Sequence, residues 1–275
     1  MVKFSLINSQ GTEYDVMPKG YNPAGFGYEN AGNYVRQGNR YINTLEYFSQ
    51  GKPTFSVLFP EETAESDYFN FVNFLQGAPL QLRISYDNHN FYRDVRVGSV
   101  AKNWLPVEYV EATVSLQALT LPYKKMSTFT DKSETLAEGK TYDYEYDYTY
   151  SETQQNTAYL DVDSFIESPT KIEIYGPCTN PTWNYYRNAN LEATGKINTV
   201  IPAGRKLVID TTTTPYSITL QDLTNKVVDD LYKNSDFSTE RFIYLSKGRN
   251  RIVVTTENQE AVAIGMEGHI YYASI

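Results

Sequence analysis

From Val110 the chain alternates without a break: Val110, Ala112, Val114, Leu116 and Ala118 fall on one side, and Glu111, Thr113, Ser115 and Gln117 on the other. Period-two alternation seats one face of a strand on a core and turns the other to water. The same period sets Phe55, Val57 and Phe59 against Thr54, Ser56 and Leu58, and Leu80, Leu82, Ile84 and Tyr86 against Gln81, Arg83 and Ser85. Asp87-Asn88-His89-Asn90 then supplies turn formers before the run Phe91–Val97, so a hairpin is expected there. A chain patterned this way folds mainly as β.

One stretch has a different period. Ala64, Tyr68, Phe71, Val72 and Leu75 follow helical spacing, with Glu61, Glu62 and Glu65 where a helix N-terminus favours anions, and Gly77 and Pro79 end the pattern. Phe69 and Phe74 lie off that apolar stripe; they either pack beneath a neighbouring loop or meet a second subunit.

The last third returns to short strands. Ile172 with Ile174, Leu207 with Ile209, Tyr216 with Ile218 and Leu220, Phe242–Leu245, Ile252–Val254, Val262–Ile264 and Ile270–Tyr272 recur between turns such as Gly176-Pro177, Pro202-Ala203-Gly204 and Lys247-Gly248-Arg249-Asn250. That spacing predicts a sandwich or jelly roll.

Charge divides these regions. Residues 131–163 hold nine acids against two lysines, most of the net −9 of the 275-residue chain. Such a stretch reads as a connector, giving an N-terminal domain over 1–130, a connector over 131–163 and a C-terminal domain over 164–275. Inside the connector the run Tyr142–Tyr150 alternates five tyrosines with three carboxylates and Thr149. As a strand it is amphipathic, suited to packing on the chain's own sandwich, to a contact between subunits, or to stacking on a ligand.

Composition excludes several functions. A net charge of −9 disfavours gripping nucleic acid, which needs clustered Lys and Arg. No apolar run reaches bilayer length, and the opening residues lack the apolar centre of a secretory signal, so neither membrane nor general export is expected. With Cys178 alone no intrachain disulfide forms, and an inert buried thiol is expected. His89 and His269 are far apart and lack cysteine partners at zinc spacing.

Catalytic patterns are near misses. Gly139-Lys140-Thr141 ends like a phosphate-binding loop, but Glu134 stands where glycine is required. Asp161-Val162-Asp163 lacks the glycine and downstream glutamate of a calcium loop, and Pro181 blocks the glycan acceptor pattern at Asn180-Pro181-Thr182. A carboxylate pair of glycosidase type is the one acid–base arrangement that 33 acids leave open. No catalytic residue, metal or cofactor is assigned.

The order of elements resembles the distal tail proteins of long-tailed phages that infect Gram-positive bacteria. The matching features are the strand Thr54–Phe59, the helix carrying Tyr68-Phe69-Asn70-Phe71-Val72-Asn73-Phe74-Leu75, the pair Leu80–Tyr86 and Phe91–Val97, and the closing Ala118–Tyr123. Further on they are Gly176–Pro181, Ile201–Asp210 and Leu245–Ile252. The resemblance implies an N-terminal β-sandwich or split barrel with one α-helix, followed by a galectin-like β-sandwich of jelly-roll type. It implies a structural virion protein, not an enzyme, made in the host cytoplasm and built into the distal tail or baseplate. Its copies would close a ring, hexameric in that family, joining the major tail-tube protein to a tail-tip protein of the tail-associated lysin type, with receptor-binding proteins as further partners. Double-stranded DNA would pass through the channel unbound. The other reading is a lectin-like module holding saccharide through Trp183, Tyr185 or Tyr186, which follow a turn.

Overall fold

The computed structural model describes residues 2–16, 28–37, 40–50, 52–60, 62–105, 109–131, 156–257 and 261–273, with backbone alone over 28–37 and 40–50. Two compact units emerge: Met1–Lys124 with Tyr271–Ile275, and Lys125–Ile270. Against the expected connector at 131–163, Thr157–Val162 is a strand of the second unit that buries Ala158, Leu160 and Val162. Asp161 at an outward position and the exposed Asp163 just past the strand hid that alternation in the acidic run. The run Tyr142–Tyr150 and the triplet Gly139-Lys140-Thr141 lie outside the described residues.

The first unit is an antiparallel sheet in the order Glu13–Val16, Lys3–Ile7, Leu80–Tyr86, His89–Trp104, Val110–Ala118, Thr54–Phe59. His89–Trp104 joins the two halves: its first part, through Val95, pairs with Leu80–Tyr86, and from Val95 on, across a register shift between Val97 and Ser99, it pairs with Val110–Ala118. A shift of that kind bends a strand and re-aims its side chains, which is how one strand serves two curved halves. The predicted hairpin is present and tighter than expected. Asp87 and Asn88 alone form the turn, both at positive φ (45° and 63°), while His89 is already in the strand. Asn and Asp tolerate this left-handed backbone, and the two-residue turn it builds matches strand twist.

The alternation at Val110 reads directly into burial: Val110, Ala112, Val114 and Leu116 are fully buried. Against them lies the helix Ala64–Leu75, burying Ala64, Phe71 and Leu75 as its spacing predicts. Glu65 and Asp67 stand in its first turn, and Asp67 accepts a hydrogen bond from the Thr63 hydroxyl (2.6 Å). Sequence reading missed Lys3–Ile7 and Glu13–Val16, and also the hairpin Tyr28–Gln37 with Arg40–Gln50, a two-stranded sheet of its own.

The second unit is mainly antiparallel strands in two principal sheets. One runs Val227–Asp230, Ser217–Asp222, Arg205–Asp210, Ser168–Tyr175, Ile264–Tyr271; the other runs Thr157–Val162, Gly248–Thr255, Thr182–Arg187, Asn190–Lys196. Their inward residues, among them Ile172, Ile174, Leu207, Ile209, Trp183, Ile252 and Val254, are almost fully buried and make a sandwich core. Val262–Ile264 and Ile270–Tyr272, expected as two strands, flank or enter one, Ile264–Tyr271. Gly265 and Gly268 interrupt its apolar pattern, and at Gly268 there is no room for a side chain. A Cβ at Gly268 would press on Leu245 and Ile270, and one at Gly265 would meet Glu173 at 3.3 Å.

Candidate functional site

The aromatics of the lectin reading sit on the strand Thr182–Arg187. Trp183 is fully buried and Tyr185 is 5% exposed. The Tyr185 hydroxyl donates to Asn250 Oδ1 (2.6 Å), while Asn250 Nδ2 donates to the carbonyls of Ser246, Gly248 and Leu160. Burial pushes the Tyr185 phenol up to about 12. Tyr186 points the other way, half-buried, with the Arg251 guanidinium 4.2 Å from its ring centroid. Trp183 and Tyr185 are therefore core residues and not a sugar platform, and a cation covers a face of Tyr186. The turn before them suggested exposure, but the strand's alternation sends them inward. Cys178 is likewise buried.

Both units expose large apolar side chains, and on the first they include Phe69, Trp104, Leu105 and Tyr109. Of the two off-stripe phenylalanines, Phe74 packs on the core, 5.6 Å from Tyr14 and 6.4 Å from Phe71 between ring centroids, whereas Phe69 is 65% exposed. Beside the helix, the Lys102 ammonium lies 4.8 Å from the ring centroids of both Tyr68 and Trp104 and 2.5 Å from Glu65 Oε2. Such an ammonium is held by ring quadrupoles and a carboxylate together, which fixes its long side chain. Trp104 stays 63% exposed, and Leu105 and Tyr109 follow it, with the Leu105 N–H donating to the Tyr109 carbonyl (2.9 Å). Trp104 ends its strand, Phe69 lies on the helix, and Leu105 and Tyr109 stand just beyond the strands His89–Trp104 and Val110–Ala118. The opposite face of the same strands is polar: Ser56 meets Thr113 (3.3 Å), and Asn103 donates to Glu111 (3.3 Å).

The second unit has a surface groove of about 250 Å3 lined by Ser127, Phe129, Lys171, Glu173, Gly265 and Glu267 among others. Among the described residues no three His, Cys, Asp or Glu side chains are grouped to hold a metal ion. Among them, too, no helix is long and apolar enough to cross a membrane. Asp161 lies on the strand Thr157–Val162 and Asp163 just past its end, on either side of the buried Val162.

Comparison with known proteins bears on the first unit most directly. Residues 3–119 match the family model described as the distal tail protein, N-terminal domain. In fold the chain is similar to a protein of the phage P2 baseplate in its activated conformation with calcium, at 14% identity over all of both chains and a TM-score of 0.66. It is also similar to the Dit protein of phage SPP1, described as a paradigm of hub adsorption apparatus in phages infecting Gram-positive bacteria. There identity is 10% over 97% of this chain and 98% of that one, with a TM-score of 0.58. No curated protein matches the chain in sequence. The elements from Thr54 to Ala118 that suggested this family lie inside the matched residues, whereas Gly176–Pro181, Ile201–Asp210 and Leu245–Ile252 lie beyond them; over residues 3–119 the chain matches the N-terminal domain of the phage distal tail proteins.

Proposed function

We propose that this phage distal tail protein is a ring-forming hub without catalytic activity, joining the tail tube to tail-tip and host-recognition proteins. The observation that carries the reading is the apolar surface of Phe69, Trp104, Leu105 and Tyr109 on the unit that matches the distal tail family. Grouped apolar side chains, as Trp104, Leu105 and Tyr109 are where the Leu105 N–H meets the Tyr109 carbonyl, mark a surface that another protein covers. Copies related by rotation, each giving this surface to a different surface of its neighbour, close into a ring of fixed number; six is the number the family resemblance implies. The second unit, a sandwich with its own core, is free in this reading to meet peripheral tail proteins. Native mass spectrometry of the full chain over a range of concentrations, with negative-stain imaging, tests it: closed rings support the proposal, and a monomer under all conditions, tail partners included, opposes it.

A further inference from the structure

We propose that the groove between Phe129 and the Lys171–Glu267 ladder is a binding site for a neutral, hydroxyl-rich ligand, a saccharide. Its floor is the outward face of three strands. Lys171 stands opposite Glu267 and Glu173 opposite Gly265 in the register of Ser168–Tyr175 with Ile264–Tyr271, and Tyr123–Thr130 adds Ser127 and Phe129 at two-residue spacing. Lys171 Nζ lies 3.0 Å from Glu267 Oε2 and 3.5 Å from Glu173 Oε1; Lys206, 3% exposed, donates to Glu173 Oε1 at 2.8 Å. The Tyr175 hydroxyl donates to Glu173 Oε2 (2.6 Å), and His269 Nε2 lies 3.4 Å from Glu267 Oε1.

Three features of this arrangement select the ligand class. First, the groove sets one ammonium, Lys171, between the carboxylates of Glu173 and Glu267, with the buried Lys206 pairing Glu173 from beneath, so an ion of either sign would meet a like charge there, whereas an uncharged ligand would not. Second, the ladder keeps capacity in both directions: an ammonium has three donors and an ionised carboxylate about four acceptor positions, more than the contacts just given use. A sugar hydroxyl both donates and accepts, so it inserts between Lys171 and a carboxylate without leaving either unpaired. Third, Phe129 is 58% exposed at the rim and held edge-on by Tyr175 (5.6 Å between centroids), presenting a fixed apolar face to the C–H side of a sugar ring. Gly265 completes the shape, since any side chain there would reach the Glu173 carboxylate and fill the notch. The volume, about 250 Å3, suits a sugar unit at the end of a longer chain. This site shares no residue with Trp183, Tyr185 or Tyr186.

The test uses the full chain and a set of uncharged probes: glucose, galactose, rhamnose, N-acetylglucosamine and their short oligomers, with poly(glycerol phosphate) as the anionic comparison. Saturation-transfer NMR identifies binders and calorimetry measures them. The expected result is binding of at least one neutral saccharide, weakened about tenfold in Phe129→Ala and unchanged in Phe237→Ala, with the melting temperature of both variants intact. Failure of every neutral probe, binding of the anionic polymer alone, or a Phe129→Ala variant that binds as well as the parent would overturn the proposal. Ring formation, measured separately by mass, is independent of each of these outcomes.

Discussion

Gly195 lies directly against the indole of Trp183, its partner across the strands Thr182–Arg187 and Asn190–Lys196, and a Cβ there would fall inside the ring. The largest fully buried side chain of the molecule therefore depends on the absence of a side chain opposite. Gly195→Ala should destabilise the second unit by about 1–3 kcal/mol, the usual cost of overpacking a filled core, and Trp183→Ala by about 3–5 kcal/mol through the cavity it leaves. Thermal unfolding of both variants checks this; an unchanged melting temperature for Gly195→Ala would place the indole elsewhere.

Arg93 is 1% exposed, donates from Nε to the Thr120 carbonyl (3.1 Å), and leaves Nη2 without a hydrogen-bond partner. Burial lowers its guanidinium to about 10. A base whose folded pKa is depressed binds its proton less tightly folded than unfolded, so at neutral pH the charge opposes folding. Arg93→Met, which keeps the aliphatic length and removes the unpaired donor, should raise stability by about 1–3 kcal/mol. Denaturant titration reads the sign directly.

Glu267 titrates in the other direction. The hydrogen bond from His269, helped by the Lys171 ammonium, holds its carboxyl down at about 2, against an ordinary 4.5. A carboxyl depressed on folding contributes stability that is fully present above the unfolded value and is lost as pH falls through the folded one. The melting temperature should therefore carry a component that declines from about pH 4.5 toward about 2. Glu267→Gln should flatten that component while leaving the profile above pH 6, on the order of a unit or more beyond the titration, parallel to the parent's.

Trp104→Ser and Phe69→Ser each remove an exposed ring without touching the core residues Phe71 and Leu75. Each should leave the unfolding free energy within about 0.5 kcal/mol of the parent's and shift the assembly toward smaller species by mass. Loss of folding in either variant would mean that the ring is part of the fold and not of a contact.

Where periodicity ran unbroken, the architecture was readable from residues alone: Val110–Ala118 and the helix Ala64–Leu75 lie where their spacing puts them. Short strands escaped notice. Lys3–Ile7 alternates for five residues only, Thr157–Val162 was masked by Asp161 on its outward face and Asp163 just past it, and Ile264–Tyr271 was split by Gly265 and by Gly268, which packing demands. The sites were less legible for a geometric reason. Trp183 and Tyr185 share a parity that sends both inward, but nothing local says which parity faces the core. The groove gathers residues near 127–129, 171–173 and 265–267, segments whose closeness is a product of strand order and leaves no spacing signal.

The central claim is that this chain works by being copied around an axis. Native mass spectrometry of the intact protein, beside Trp104→Ser, tests it most directly. The account predicts one closed oligomer, of a single stoichiometry across concentrations, that falls to smaller species in the variant. A parent that stays monomeric even with tail partners supplied, or a ring indifferent to Trp104, would contradict it.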